Sequence, residues 1–334
     1  MKVLAPYRII ISRTDSIGDV ILTLPLCVWL KKQFPQTELV FLGRTYTKDI
    51  IACFDVVDTF LNFDDFSSLP TSERIARLKA DCIIHVFPNR EIAALSKKAK
   101  IPMRIGTAHR VFHLLTCNYR LNFSRKRSLL HEAQLNFELL KPLGLNEIPS
   151  FEALFESLNH FNIPTVSLPT EFSGIDLSNT IILHPKSQGS ALEWPLEKYI
   201  ELAQVLVQQK KTVIFTGTEN EGKEFSAILP VHPQIFDSSG KLSLNQLICL
   251  IASCEALVAC STGPYHIAGI SGIKAIGLFS PRKPIHPGRW KALGDKSVAL
   301  VFDSSCSNCK KGKVCSCIEN ISVQSVLSAI NDAQ

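Results

Sequence analysis

No apolar run in the chain is long enough to cross a bilayer. The longest, Val20 to Leu30, is about half of the ~20 residues that a spanning helix needs. It follows Asp19 and stops at Lys31-Lys32, so a buried helix is expected there. The opening MKVLAPYRIII runs straight into a strand and has no small-residue cleavage pattern, so no secretory leader is expected. Basic residues never form a dense stripe interleaved with aromatics, which argues against nucleic acid as a partner. Neither GxxxxGKS/T nor GxGxxG occurs, so ATP hydrolysis and nicotinamide chemistry lack support. Internal repeats and low-complexity tracts are missing too. A soluble, cytoplasmic, monomeric protein is the expectation. The net charge of +6 suits an anionic ligand or peripheral contact with a membrane surface.

What is present is an α/β pattern of 334 residues, 46% apolar and 20% charged. That length is too great for one ordinary doubly wound domain and suits two. Strands are expected at 8–12, 38–42, 59–62, 82–87 and 103–105. Helices are expected at about 19–33, 47–53, 71–79, 91–99 and 131–141. Strands alternating with helices imply a parallel sheet with right-handed crossovers. Periodicity is lost over 143–179, a stretch rich in Pro, Ser and Asn, which reads as a connection. It returns with strands at 180–183, 212–216, 256–259 and 274–279 and helices at 196–209, 244–253 and 323–333. The expected layout is a domain over 1–160, a second over 175–320, and a closing helix in 321–334 that is a candidate to pack back on the first domain. Two such sheets leave a cleft between them.

Three polar loops follow strands, where ligands bind in open α/β sheets. The first is Ser12-Arg13-Thr14-Asp15-Ser16-Ile17-Gly18-Asp19. Gly18 permits close backbone approach, and Asp19 falls in the first turn of a helix, where a carboxylate suits the dipole. The second is His184-Pro185-Lys186-Ser187-Gln188-Gly189-Ser190. The third is Ser261-Thr262-Gly263-Pro264-Tyr265-His266, where Pro264 suits a helix start. There the free N–H groups and the Ser261 and Thr262 hydroxyls can cradle a phosphate, and His266 adds a donor. After Gly217, Glu219 and Glu221 offer carboxylates of the kind that hold ribose hydroxyls. Each loop also reads as an ordinary strand–helix turn or helix start when taken alone.

Taken together and in order, ISRTDSIGDVILTLP, HPKSQGSALEWPLEKYIELA, FTGTENEGKEF, STGPYHIAGISG and PIHPGRW resemble family 9 glycosyltransferases, the ADP-heptose:lipopolysaccharide heptosyltransferases and their relatives. The resemblance covers nearly the whole chain. It implies a GT-B fold, two facing Rossmann-like doubly wound domains with a deep interdomain cleft. It implies an inverting, metal-independent transfer of heptose or a related sugar from a nucleotide-diphosphate donor, with no cofactor required. The donor expected is ADP-heptose. The acceptor expected is a lipopolysaccharide core or lipid-linked saccharide at the cytoplasmic face of the inner membrane.

By the same resemblance Asp19 is the general base. The donor diphosphate goes to Ser261, Thr262, Gly263, Pro264 and His266, with Lys186, Ser187 and Gln188 opposite. Glu221, then Glu219, is the match for the residue that holds the ribose. Two positions depart from the family's pattern: Ser261 stands where the family has Asp, and Leu192 stands where a basic residue is frequent, so Lys186 is the candidate to supply that charge. No Asp-x-Asp is present in the donor region, so a catalytic divalent metal is not implied. Ser16, Gly18, Arg104 and Arg120, with His109, Arg110 and the run Arg125-Lys126-Arg127, are candidates to face a phosphorylated acceptor. Arg282, Lys283, His286 and Arg289 form a further basic loop. Rival readings are a catalytically silent nucleotide-sugar-binding protein of the same fold and a GT-B sugar-nucleotide epimerase.

Eleven cysteines are many for a cytosolic protein. Seven are scattered, and most of these sit in apolar stretches and read as small core residues. Cys306, Cys309, Cys315 and Cys317 are clustered as CxxC-x5-CxC. Four thiols so close can bind zinc tetrahedrally. Reduced thiols or a local disulfide are the alternatives.

Overall fold

The computed structural model describes residues 6–125 and 128–332. Lys126 and Arg127 of the basic run, the first five residues, and the final Ala333 and Gln334 lie outside the described residues. The chain divides into two compact units, Met1–Asn162 and Ile163–Gln334.

The first unit is a six-stranded sheet. Its strands are β1 (Arg8–Ser12), β2 (Glu38–Gly43), β3 (Thr59–Asn62), β4 (Cys82–His85), β5 (Met103–Thr107) and β6 (Tyr119–Leu121). They run parallel in the order β3-β2-β1-β4-β5-β6. β1 and β4 are central, so their Ile9-Ile10-Ile11 and Cys82-Ile83-Ile84 are buried on both faces, as continuous apolar runs in parallel sheets are. Ile10, Val40, Leu42, Ile83, Ile92 and Leu95 share one core.

The second unit repeats the topology. Its strands are β7 (Thr180–His184), β8 (Thr212–Phe215), β9 (Ile235–Asp237), β10 (Ala256–Cys260), β11 (Lys274–Phe279) and β12 (Ser297–Val301). All are parallel, in the order β12-β11-β10-β7-β8-β9. Each half therefore has the Rossmann strand order, in which the winding reverses beside the first strand. That reversal lies between β1 and β4 in one unit and between β7 and β10 in the other. The closing helix, Val323–Asn331, does not stand apart from this unit. Its Val326, Leu327 and Ile330 lie in the core that holds Ile181, Trp194, Leu202 and Ile276.

Local chemistry explains where the elements depart from the periodicity. The helix expected over 19–33 is two, Ile17–Ile21 and Leu24–Gln33. Pro25 sits in the first turn of the second helix, and its missing N–H leaves the Ile21 carbonyl without a helical partner. The helix expected over 131–141 runs only from Glu132 to Phe137 and then tightens to a 3-10 helix, Glu138–Leu143, that contains Pro142 and stops at Gly144 with φ +96°. The connecting stretch holds 3-10 turns, the longest being Glu152–His160. No helix among the described residues is long and apolar enough to cross a membrane.

Candidate functional site

The loop after β1 in the first unit and the loops after β7 and β10 in the second leave strands beside the winding reversal, the place where such sheets bind ligands, while Glu219 and Glu221 follow β8. In the first unit the loop after β1 is organised by Arg13. Its guanidinium is only 2% exposed. Nε donates to Asp15 Oδ1 at 2.7 Å, Nη2 donates to Asp19 Oδ1, and Nη1 reaches Glu132 Oε1 and Asn136 Oδ1 at 3.4 Å each. Arg125 approaches the same pair, with Nε on Glu132 Oε1 at 2.9 Å and Nη2 on Asn136 Oδ1 at 3.2 Å. Two cations and three carboxylates thus form one network, which pins the loop after β1 to the helix that begins at Glu132. Burial opposes the charge on Arg13, but Asp15, Asp19 and Glu132 outweigh it and hold the guanidinium above its usual range. Burial pushes Asp15 up to about 7 against the pull of Arg13, and the charge of Asp19 adds to the rise.

Asp19 itself lies in the first turn of the helix Ile17–Ile21, with its side chain 16% exposed. The Ser16 hydroxyl donates to Oδ2, so both carboxylate oxygens are oriented. Each oxygen offers about two lone-pair sites, which leaves acceptor capacity on the exposed side. Gly18 is buried within the same turn.

Two other acceptor candidates, Arg104 and Arg120, bind backbone. Arg104 Nε donates to Thr116 O at 2.7 Å and Nη1 to Ile101 O. Arg120 Nη1 donates to Cys117 O at 2.9 Å. Both charges are engaged in tying β5 and β6 to the helix Val111–Thr116.

In the second unit the loop after β7 places Lys186 between two carboxylates, Glu193 Oε2 at 2.6 Å and Glu224 Oε2 at 2.7 Å. Hydrogen bonds to both hold the ammonium above its usual value. Ser187 donates to Glu193 Oε1 through its N–H at 2.8 Å and its hydroxyl at 3.0 Å. Gln188 and Gly189 turn the loop with φ of +49° and +77°. A cavity of about 440 Å³ opens here, lined by Lys186, Gln188, Glu193, Thr218, Glu221 and Glu224 among others. That volume lies in the range of small-molecule sites.

Glu221 is 5% exposed. Its Oε2 accepts from Thr218 N–H at 2.7 Å and from Thr218 Oγ1 at 2.9 Å, while Thr218 caps the helix Glu219–Phe225 in return. It is a capping-box carboxylate that also faces the cavity. Glu219 is largely exposed beside Lys223. His184 closes β7 by pairing Nδ1 with Thr216 Oγ1 at 2.9 Å, and burial pushes it down to about 4, so the ring is neutral.

After β10, the strand beside β7, Thr262 is the N-cap of the helix Gly263–Ile270, and no side chain caps this helix start. Thr262 Oγ1 is buried without a hydrogen-bond partner among the described residues. Pro264 falls in the first turn, Ser261 is half-buried, and His266 is buried with its ring 5.4 Å from that of Tyr265. Of the later basic loop, Arg289 is mostly buried, 5.1 Å from the Trp290 ring.

Residue types and spacing did not single out Arg13, Glu132, Glu193 or Glu224. One signal was available for Glu132, a glutamate at the start of the largely apolar helix expected over 131–141.

The profile of glycosyltransferase family 9 (heptosyltransferase) matches residues 72–318. The lipopolysaccharide core heptosyltransferase OpsX of Haemophilus influenzae is 22% identical, covering 90% of this chain and 86% of its own. The family 9 glycosyl transferase of Veillonella parvula superposes with a TM-score of 0.79 at 18% identity, over 98% of this chain and 97% of its own. The E. coli ADP-heptose lps heptosyltransferase II gives 0.74 at 19% identity, over 97% of each chain.

Proposed function

The chain belongs to glycosyltransferase family 9, and on that premise we propose that this enzyme of GT-B fold transfers a heptose or closely related sugar, with inversion and without a catalytic metal, from a nucleotide diphosphate to a lipopolysaccharide-core acceptor. ADP-heptose is the donor proposed, in keeping with the relative of that name. The observation that carries the reading is Asp19, a partly exposed carboxylate held at both oxygens at the rim of its sheet.

In the proposed reaction an acceptor hydroxyl attacks C1 of the donor sugar. Its proton passes to the Asp19 carboxylate as the new C–O bond forms and the bond to the diphosphate breaks. Attack from the face opposite the leaving group inverts the anomeric centre. Negative charge then grows on the diphosphate. The uncapped helix start at Thr262-Gly263, with the Ser261 and Thr262 hydroxyls, supplies donors for it. A serine at 261 adds no charge there that would repel the phosphates. Lys186 supplies the cation, released from Glu193 or Glu224 as the diphosphate enters. Glu221 and Glu219 stand for the ribose. The exposed Ser16 lines the approach of the acceptor, with Gly18 buried in the turn behind it.

Arg13 and Ser16 hold the Asp19 carboxylate in one orientation. As pH rises through about 7, Asp15 ionises and places a second negative charge beside Asp19, which favours proton transfer from the acceptor hydroxyl into the pair. The rate is therefore expected to climb across that range. Asp15→Asn should remove this limb from the pH profile of kcat/KM; a limb that persists in the variant belongs to another group.

Lys186→Ala leaves Glu193 and Glu224 as unopposed charges facing a diphosphate. Donor affinity should fall by about tenfold or more, roughly 1.4 kcal/mol, read by calorimetry with the nucleoside diphosphate. Unchanged affinity would assign the phosphate charge to a different cation. The direct test of the function is turnover. ADP-heptose is offered beside UDP-, GDP- and CDP-sugars with a lipopolysaccharide-core acceptor, and the anomeric configuration of the product is read by NMR. Transfer from ADP-heptose with inversion is the expected result. Retention, or no transfer from any of these donors despite binding, would overturn the proposal.

A further inference from the structure

The cysteines of the second unit's last loop have a geometry that sugar transfer does not use. Sγ atoms of Cys306, Cys309, Cys315 and Cys317 all lie within 4.8 Å of one another. Cys306 and Cys315 are 3.3 Å apart at sulfur, and Cys315 and Cys317 are 3.1 Å apart. A disulfide requires about 2.05 Å, and all four thiols are free. Tetrahedral Zn–S bonds of about 2.3 Å put neighbouring sulfurs roughly 3.8 Å apart. The sulfur separations, from 3.1 Å up to no more than 4.8 Å, bracket that value.

The surrounding chain has little else to fix it. Apart from the short helix Ser307–Lys310, no regular element occurs between β12 and the helix Val323–Asn331. Lys310, Lys311, Lys313 and Val314 are exposed. Yet Cys309 and Cys317 are buried, at 1% and 4% exposure. A loop poor in apolar contacts that nevertheless buries two thiols against two others is the situation in which a structural metal replaces a core.

We infer that Cys306, Cys309, Cys315 and Cys317 form a tetrahedral, four-thiolate site for a structural zinc ion. An all-sulfur set selects a thiophilic cation, and four protein ligands leave no open position for catalysis. Binding drives off whatever protons the thiols still carry. The four thiolates and the dication sum to a charge of −2, which Lys310, Lys311 and Lys313 offset from the intervening loop.

The site also has leverage. Four residues past Cys317, the Ile321 carbonyl accepts from Trp194 Nε1 at 2.9 Å and from Lys198 Nζ at 2.9 Å. Ile318 and Ile321 enter the core with Trp194. Trp194 follows Glu193, the residue that holds Lys186 and Ser187. The ion therefore stiffens the stretch that backs the loop after β7.

The test is metal content of the full chain, purified without chelators or an affinity metal and measured by elemental mass spectrometry. About one zinc per chain is expected, released stoichiometrically when a mercurial titrates the thiols. Cys309→Ser/Cys317→Ser should lose it. Cobalt put in its place should show the intense thiolate-to-metal charge-transfer absorption of a sulfur-rich tetrahedral site. The inference is overturned by metal-free wild-type protein whose four thiols react freely or are found as disulfides, and equally by iron in stoichiometric amount. None of these readouts depends on sugar transfer, so the two proposals fail separately.

Discussion

Replacing Asp19 with asparagine should lower kcat by about 10²–10⁴-fold, the usual worth of a positioned general base, and leave donor affinity within a few-fold. The amide keeps the shape and can still accept from Arg13, but it cannot take a proton. The loss should therefore fall on the chemical step and not on the architecture of the loop. The donor is assigned to loops of the second unit, so its binding has no reason to change. Single-turnover kinetics and calorimetry with the nucleoside diphosphate read the two quantities independently. Wild-type turnover in the variant would remove Asp19 from the mechanism. A collapse of donor affinity alongside kcat would make its role one of binding.

Arg13→Leu should be the most damaging change to stability in the first unit. The guanidinium is nearly inaccessible and is shared among Asp15, Asp19 and Glu132. Removing one partner of a buried ion network typically costs ~3–5 kcal/mol, because the other charges stay desolvated and unpaired. Arg125 still reaches Glu132, which places the expected loss toward the lower end. The loss should depend on pH in a stated direction. Asp15 has a folded-state pKa near 7, above its unfolded value of about 3.9. A raised acid favours the folded protein fully only below the unfolded value, and that contribution is lost as pH rises through the folded one. Without Arg13 the folded-state value of Asp15 rises further, so urea midpoints of variant and wild type should diverge from about pH 6 to about pH 8, across the wild-type value near 7. A constant gap across that range would mean that the arginine acts through packing alone.

The central strands of both sheets were legible from sequence, because β1, β4, β7 and β10 are buried on both faces and read as unbroken apolar runs. The loops that follow three of them stood out for the same reason: a polar, glycine-containing stretch is conspicuous after such a run. Of the four edge strands β3 was legible, but β6, β9 and β12 were not. Tyr119–Leu121 is mostly exposed and Ile235–Asp237 half-buried, so neither carries the pattern of a buried strand. The anchoring of Arg13 was invisible for a different reason. Arg13 and Glu132 are 119 residues apart, and only the folded sheet brings them together. At Glu221 one carboxylate both caps a helix and lines the cavity.

The burial of Val326, Leu327 and Ile330 beside Trp194 and the β7 side chains bears on how the protein is made. Synthesis proceeds from the amino end, and domains generally fold as they emerge. The leading unit is complete by residue 162 and can close while translation continues. The trailing unit lacks part of its interior until the codons for 323–331 have been read. A ribosome that stalls late in the message therefore leaves a finished half carrying an open, apolar remainder, and that nascent species is the one most in need of a chaperone.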